Sequence, residues 1–256
     1  MTLKGKIAFI TGASSGIGAA TALAFAAQGA RLLLAARRAG KLADVASRAL
    51  ERGAEAVHSI DLDVRHRHAV QTAIDELSPE WSQIEILVNN AGLSRGLDKL
   101  YTGRIEDWEE MIDTNIKGLL YVSRAVLPGM VVRGRGHVVN IGSTAGELPY
   151  PGGSVYCASK AAVRALNDGL RQDVLGTPVR VTCIDPGTVE TDFSLVRFRG
   201  DAGRAAKVYG GITPLAAEDV ADAILWAVTR PPHVNIARVT LTSVNQANSL
   251  LFHREG

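Results

Sequence analysis

Short apolar runs alternate with longer stretches whose apolar positions recur at helical spacing, and this alternation continues along the whole chain. The pattern predicts strands over Ile7–Ile10, Arg31–Ala35, Ala56–Ile60, Ile84–Val88, Gly136–Gly142, Val179–Ile184 and Ile236–Thr242. Between them it predicts helices over Ile17–Gln28 (closed by Gly29), Gly40–Arg52, Arg67–Leu77, Ile105–Gly129 with a break or bend near Pro128, Tyr156–Leu175 and Ala217–Thr229. The strands are apolar with little in–out alternation, so both of their faces are expected to be covered. Strands of that kind separated by helices imply a parallel sheet wound in right-handed strand–helix–strand units. No repeat, low-complexity tract or linker interrupts the series, so the expectation is a single α/β domain over residues 1–256: a doubly wound parallel sheet flanked by helices. The segment Val189–Thr213 lacks clear periodicity, and a stretch of that length inside a compact domain reads as a functional lid or binding loop.

Composition narrows the classes. A chain of 256 residues with 46% hydrophobic and 21% charged residues can bury a large core. The formal net charge of +2 creates no strong field toward nucleic acid or an anionic membrane. Two cysteines, Cys157 and Cys183, make no disulfide framework, which fits a reducing compartment. The N-terminal apolar run is shorter than a signal-peptide core and ends in a glycine turn. Nothing approaches the roughly 18 consecutive apolar residues of a membrane helix. A cytoplasmic protein with neither a membrane nor a nucleic-acid partner is therefore expected.

The first strand runs into Thr11-Gly12-Ala13-Ser14-Ser15-Gly16-Ile17-Gly18, and a helix begins at once. Backbone N–H groups and the helix dipole favour a pyrophosphate there, with Gly12 making the turn and Gly16 and Gly18 allowing close approach. Nicotinamide-binding folds that take NAD usually carry an acid at the end of the second strand for the ribose 2′-hydroxyl. This chain has Ala36 there, followed by Arg37 and Arg38. A guanidinium fork suits a 2′-phosphate, and Ser14 can add a hydroxyl donor, so NADP(H) is the expected cofactor. The competing reading is a solvated basic pair at a strand end.

Tyr156-Cys157-Ala158-Ser159-Lys160 opens the long helix after the fifth strand. Residues four apart share a helical face, about 6 Å apart along the axis. A lysine ammonium beneath a phenol favours the phenolate and makes Tyr156 usable as a general acid in reduction and a base in oxidation. Ser143, thirteen residues upstream, is delivered to the carboxyl end of its strand, where ligands sit in open parallel sheets. Its hydroxyl can hold a substrate oxygen as charge develops.

Taken together, Thr11–Gly18, Asn89-Asn90-Ala91-Gly92, Asn115, Ser143, Tyr156, Lys160 and Pro186-Gly187 resemble the short-chain dehydrogenase/reductase family, in its form with one Rossmann-like domain. The resemblance spans most of the chain. It implies a catalytic tetrad of Asn115, Ser143, Tyr156 and Lys160, with Lys160 also on the nicotinamide ribose and Asn115 helping to seat a proton-relaying water. It implies cofactor contacts at Gly12, Ser14, Ser15, Gly16, Ile17, Gly18, Arg37 and Arg38. Asp63 and Val64 would meet the adenine, and Asn89, Ala91 and Gly92 would stabilise the sheet and flank the cofactor. Pro186, Gly187, Thr188, Val189 and Thr191 would lie against the nicotinamide. It also implies a homotetramer or dimer.

Stretches such as Asp113–Gly118, Pro149–Gly153, Val196–Asp201 and His233–Ile236 resemble one subgroup, the NADP-dependent 3-hydroxy acid dehydrogenases acting on serine, allo-threonine and small 3-hydroxy acids. Related enzymes reduce sulfoacetaldehyde. A small acid needs a cation for its carboxylate, and Arg197 lies in the irregular segment expected to cover the site, with Tyr150 a second donor. The expected substrate contacts are therefore Ser143, Tyr150, Tyr156 and Arg197, and a sulfonate would use the same groups. Arg197 as a merely solvated loop arginine is the alternative. Arg65-His66-Arg67-His68 does not make a metal site, and no metal is expected. The competing functional class, an idle nucleotide sensor on the same fold, is disfavoured by the presence of both Tyr156 and Lys160.

Overall fold

The strands form because β-branched and leucine-rich runs can bury both faces in the middle of a layered structure. In a computed structural model describing residues 2–255, they are β1 (Ile7–Thr11), β2 (Arg31–Ala36), β3 (Ala56–Asp61), β4 (Ile84–Asn89), β5 (Gly136–Ile141), β6 (Val179–Pro186) and β7 (Arg238–Leu241). Residues 1 and 256, which the single-domain expectation included, lie outside the described residues. The sheet order is β3-β2-β1-β4-β5-β6-β7, with every neighbouring pair parallel. This is the expected doubly wound topology, with a switch point between β1 and β4.

The helices are α1 (Gly16–Ala26), α2 (Ala39–Glu51), α3 (Arg67–Asp75), α4 (Ile105–Ile112), α5 (Leu119–Arg133), α6 (Ser154–Asp173), α7 (Phe193–Arg197), α8 (Ala202–Tyr209) and α9 (Ala217–Val228). Alternate strand residues divide the core in two. Ala8, Ile10, Leu32 and Leu34 pack with Phe25 of α1 and Ile224 of α9 on one face. Ile7, Phe9, Leu33 and Leu87 pack with Val122, Val126 and Met130 of α5 on the other. The edge strand β3 is only partly covered. Among the described residues, no helix is long and apolar enough to cross a membrane.

Two expectations need correction. The helix expected over Ile105–Gly129 is interrupted not at Pro128 but at Asp113–Gly118, which forms a π-helical turn between α4 and α5. Pro128 sits inside α5, which runs on to Arg133. A π turn widens the helix by one residue, a signal that apolar periodicity does not carry. The segment Val189–Thr213, expected to be irregular, contains α7 and α8. Helices of five and eight residues are too short to show a period against the loops around them.

His137 in β5 is buried, its Nε2 2.7 Å from the Thr182 hydroxyl. Burial, reinforced by the charges of Arg180 and Lys6, pushes its pKa down from 6.5 to about 3. The folded chain therefore refuses a proton that the unfolded chain accepts below pH 6.5. This group alone removes about 1.4 kcal/mol of stability per pH unit as pH falls from there toward 3. His137→Leu is expected to flatten urea-derived stability against pH between 6 and 4.5; an unchanged slope would mean that the ring is already protonated in the fold.

Candidate active site

The cleft lies over the carboxyl ends of β1 and β4, as the strand order requires. Its volume is about 620 Å³, enough for a dinucleotide-sized ligand. The Thr11 hydroxyl binds the two halves of the sheet together by donating to the Val88 carbonyl (3.3 Å) and accepting from the backbone N–H groups of Asn90 and Ala91 (both 3.1 Å). The Asn90 carboxamide returns the contact by donating to the carbonyls of Thr11 (2.9 Å) and Gly12 (3.2 Å). Gly12 adopts φ +65°, and a Cβ there would stand 2.9 Å from both Ala91 Cα and Asn90 Nδ2. That crowding and conformation leave only glycine.

Of the residues expected at the cofactor, Gly12, Ser14, Ser15, Gly16, Ile17, Arg37, Arg38, Asp63, Val64, Ala91, Gly92, Tyr156, Lys160, Pro186, Gly187, Val189 and Thr191 line this cleft. Three do not. Gly18 faces inward, where a Cβ would stand 2.5 Å from Asn90 Nδ2 and from the Gly12 carbonyl, so its role is to seat α1 against the loop. Asn89 donates to Ser123 Oγ and to Asn140 Oδ1 (both 2.9 Å), inside the protein. Thr188 gives its backbone N–H to Gln246 Oε1 at 2.8 Å, turned toward the C-terminal segment.

The basic end is asymmetric. Arg38 donates from Nε and Nη2 to Ser14 Oγ (3.3 and 3.2 Å) and from Nη2 to Ser15 Oγ (2.5 Å), so guanidinium and hydroxyls converge beside the glycine turn. Arg37 turns instead toward Asp63 (3.8 Å) and Glu110 (3.9 Å). Burial raises the Asp63 carboxyl, but the Arg65 hydrogen bonds and the charges of Arg65 and Arg37 outweigh it and leave it below its usual range. Lys41, which also lines the cleft, was missed. It stands one helical turn beyond Arg37 and Arg38, and that spacing could have found it.

At the other end, Tyr156, Ser143 and Lys160 come together. Lys160 is buried and donates from Nζ to the Ile141 carbonyl at 2.8 Å, with Nζ 6.0 Å from the Tyr156 ring centroid. Burial lowers its pKa to about 8, against the opposing charges of Cys183 and Asp185. Burial also raises the Tyr156 phenol, and the influences that oppose it are the Arg197 charge and the Ser143 hydroxyl. Two cations therefore flank the Tyr156 ring, Lys160 one helical turn away and Arg197, whose guanidinium carbon lies 5.3 Å from the ring centroid.

Asn115 sits in the π turn and does not line the cleft. Its carboxamide accepts the Leu93 N–H, donates to the Leu93 carbonyl (both 2.8 Å) and donates to Ser159 Oγ (3.0 Å). It pins the loop after β4 to α6. Arg197 and Tyr150 are also brought together, Nη2 donating to the phenol oxygen at 2.7 Å and Nε to Ser94 Oγ at 3.0 Å, but neither lines the main cleft. The Arg197 guanidinium carbon lies 5.3 Å from the ring centroids of both Tyr156 and Phe193, which are themselves 5.6 Å apart. Arg197 is therefore a partly buried, hydrogen-bonded residue rather than a solvated one.

A carboxylate that the sequence did not single out supports the serine. Asp185 at the end of β6 is fully buried and accepts the Ser143 N–H at 3.1 Å and the Cys183 thiol at 3.2 Å. Arg238 and Arg164 approach its other oxygen at 3.5 and 3.7 Å. A Cβ on Gly142 would fall 1.8 Å from Asp185 Oδ1, so glycine before the serine is what lets the carboxylate reach.

The sequence model described as short chain dehydrogenase matches residues 6–200. The NADP-dependent 3-hydroxy acid dehydrogenase YdfG of Escherichia coli (strain K12) is 47% identical over 251 residues, 97% of this chain and 100% of that protein. Sulfoacetaldehyde reductase 2 of Chromohalobacter salexigens is 46% identical over 242 residues, 94% of this chain and 95% of that protein. Among solved structures, the closed form of a serine dehydrogenase complexed with NADP+ superposes with a TM-score of 0.90 at 46% identity, covering 97% of this chain and 100% of that one.

The depressed Lys160 pKa carries a stability consequence. The folded chain binds fewer protons than the unfolded chain between pH 8 and 10.5, so the penalty for burying this ammonium is present below pH 8 and fades as pH rises. At 1.36 kcal/mol per pKa unit it amounts to at most about 3 kcal/mol, less what the Ile141 hydrogen bond returns. Lys160→Met is expected to be about 1–2 kcal/mol more stable than the native chain at pH 7, the gap narrowing by pH 10. Urea titrations at the two pH values check this, and a variant less stable at pH 7 would refute it.

Proposed function

This chain belongs to the short chain dehydrogenase family, and from that premise we propose that it is an NADP(H)-dependent oxidoreductase interconverting a small 3-hydroxy acid and the corresponding carbonyl acid. The observation that carries the reading is the layout of one cleft: a turn with guanidinium and hydroxyl donors at one end, and a buried tyrosine–serine–lysine group at the other.

The residues present suit a phosphorylated dinucleotide. The close-packed glycine turn gives backbone N–H groups access to a pyrophosphate, and Arg38 with Ser14 and Ser15 offers charge-assisted donors to a 2′-phosphate. When bound, the cofactor supplies or accepts the hydride at the reacting carbon. The protein does the rest. Ser143 presents its hydroxyl to the substrate oxygen, held in place by its own backbone bond to Asp185. Tyr156 delivers a proton to that oxygen in reduction and removes it in oxidation. Its raised pKa in this structure keeps the phenol protonated, the form that reduction needs. Asn115 holds the loop and helix on which Gly92 and Lys160 face each other.

The covering segment supports a small anionic substrate. Arg197 and Tyr150, joined by their hydrogen bond beside Tyr156, are the groups that would take an anionic tail, leaving the third carbon near the phenol. Carboxylate and sulfonate present the same charge to that fork, and the relatives include enzymes named for each. Serine, allo-threonine and 3-hydroxypropionate are the substrates proposed, with sulfoacetaldehyde as the alternative. A homotetramer or dimer in the cytoplasm is the proposed working form.

Two measurements test the reading. Tyr156→Phe is expected to cut NADPH oxidation with small aldehyde acids at least about a hundredfold while leaving the NADPH Kd within about threefold; retained turnover would remove the tyrosine from its role. Arg38→Ala is expected to raise the Kd for NADPH by about tenfold or more, with little change for NADH, and Arg37→Ala to do less because that guanidinium already faces two carboxylates. Fluorescence titration of both cofactors decides, and equal losses for NADPH and NADH would undo the phosphate assignment.

A further inference from the structure

The covering segment brings its own anion to the basic end of the cleft. Asp192, immediately before α7, places Oδ2 3.0 Å from Lys41 Nζ and 3.5 Å from Arg38 Nη1. The Lys41 hydrogen bond holds this carboxyl below its usual range, so it is charged at neutral pH. Arg37, the third cation there, is turned toward Asp63 and Glu110. Arg38 and Lys41 are thus the cations on the side of Ser14 and Ser15, and one carboxylate rests on both.

We propose that Asp192 is a determinant of cofactor discrimination: its carboxylate competes with a 2′-phosphate for Arg38 and Lys41, and so moderates the preference for the phosphorylated over the unphosphorylated dinucleotide. The inference rests on the NADP(H) reading above and adds a residue to it. Arg38 does not depend on Asp192 for its placement, because Nε and Nη2 are already held by the two serine hydroxyls. Replacing the carboxylate by an isosteric amide therefore leaves the guanidinium in place and removes only a like charge from the neighbourhood of the phosphate. The two ion pairs are between one-third and roughly one-half exposed, so solvent weakens them and the effect is bounded. A ligand without the 2′-phosphate meets neither the competition nor its relief. The covering segment is the place where such control has reach, since the next residue, Phe193, stacks near Tyr156.

The test is equilibrium binding, not turnover. Kd values for NADPH, NADH, 2′,5′-ADP and 5′-AMP are measured on the native chain, Asp192→Asn and Asp192→Glu, at low and at physiological salt. For Asp192→Asn the expected result is about three- to tenfold tighter NADPH and 2′,5′-ADP, with NADH and 5′-AMP within twofold. The gain should shrink at higher salt, and Asp192→Glu should keep the native ratio. Unchanged or weaker NADPH binding by Asp192→Asn, or an equal gain for all four ligands, overturns the proposal while the native preference for NADPH still supports the cofactor reading. A native chain with no preference for NADPH overturns both.

Discussion

Two polar side chains at the parting of the sheet, Thr11 and Asn90, hold the rest of the structure in register. At a topological switch point the strand ends diverge, and their backbone groups lose the neighbours that a continuous sheet would supply. Here the hydroxyl and carboxamide replace those neighbours, each bonding to backbone on the opposite strand. The replacement fixes the distance between the glycine turn and the loop after β4, and hence the width of the cleft between them. It also explains why the crowding at Gly12 and Gly18 is directed at Asn90 rather than at a ligand.

Behind the opposite end of the cleft the protein tolerates unfavourable burial. An ammonium, a phenol and a carboxylate are enclosed within a few residues' reach, with burial shifting each toward its neutral form. Asp185 retains a buried oxygen without a full hydrogen-bond partner, although two guanidinium groups approach it. Perturbed groups gathered in a cleft are characteristic of sites built for proton transfer rather than for stability.

The sheet was readable because its central strands are buried on both faces, so apolar runs mark them directly, whereas the partly covered edge strand β3 mixes polar and apolar positions. Three residues of the proposed tetrad were readable from spacing, since Tyr156 and Lys160 share a helical face and Ser143 follows a strand, while Asn115 came only with the family resemblance. Their partners were not. No periodicity reports that Asn115 is bonded to the Leu93 backbone, or that Arg197, at the end of the short helix α7, stands beside the Tyr156 ring. Asp185 and Asp192 escaped for the same reason: an isolated carboxylate reveals its role only when the fold shows which cations and amides surround it. Local spacing carries information within an element, and contacts between distant elements lie outside it.

The π turn at Asp113–Gly118 has a consequence for how this chain can change over time. A residue inserted or lost in a regular helix rotates everything beyond it by about 100°. Here the widened turn both aims Asn115 at the loop and sets the phase of α5, whose Val122, Val126 and Met130 fill one half of the core. Because the π turn already carries one extra residue, deleting one position would restore a regular helix with α5 close to its present phase, so the apolar stripe would stay on the sheet while the carboxamide lost its aim at the loop. A deletion in this stretch therefore strikes the site while sparing the core, and a further insertion strikes both, so descendants of this gene that keep the site should vary there by substitution and leave its length alone.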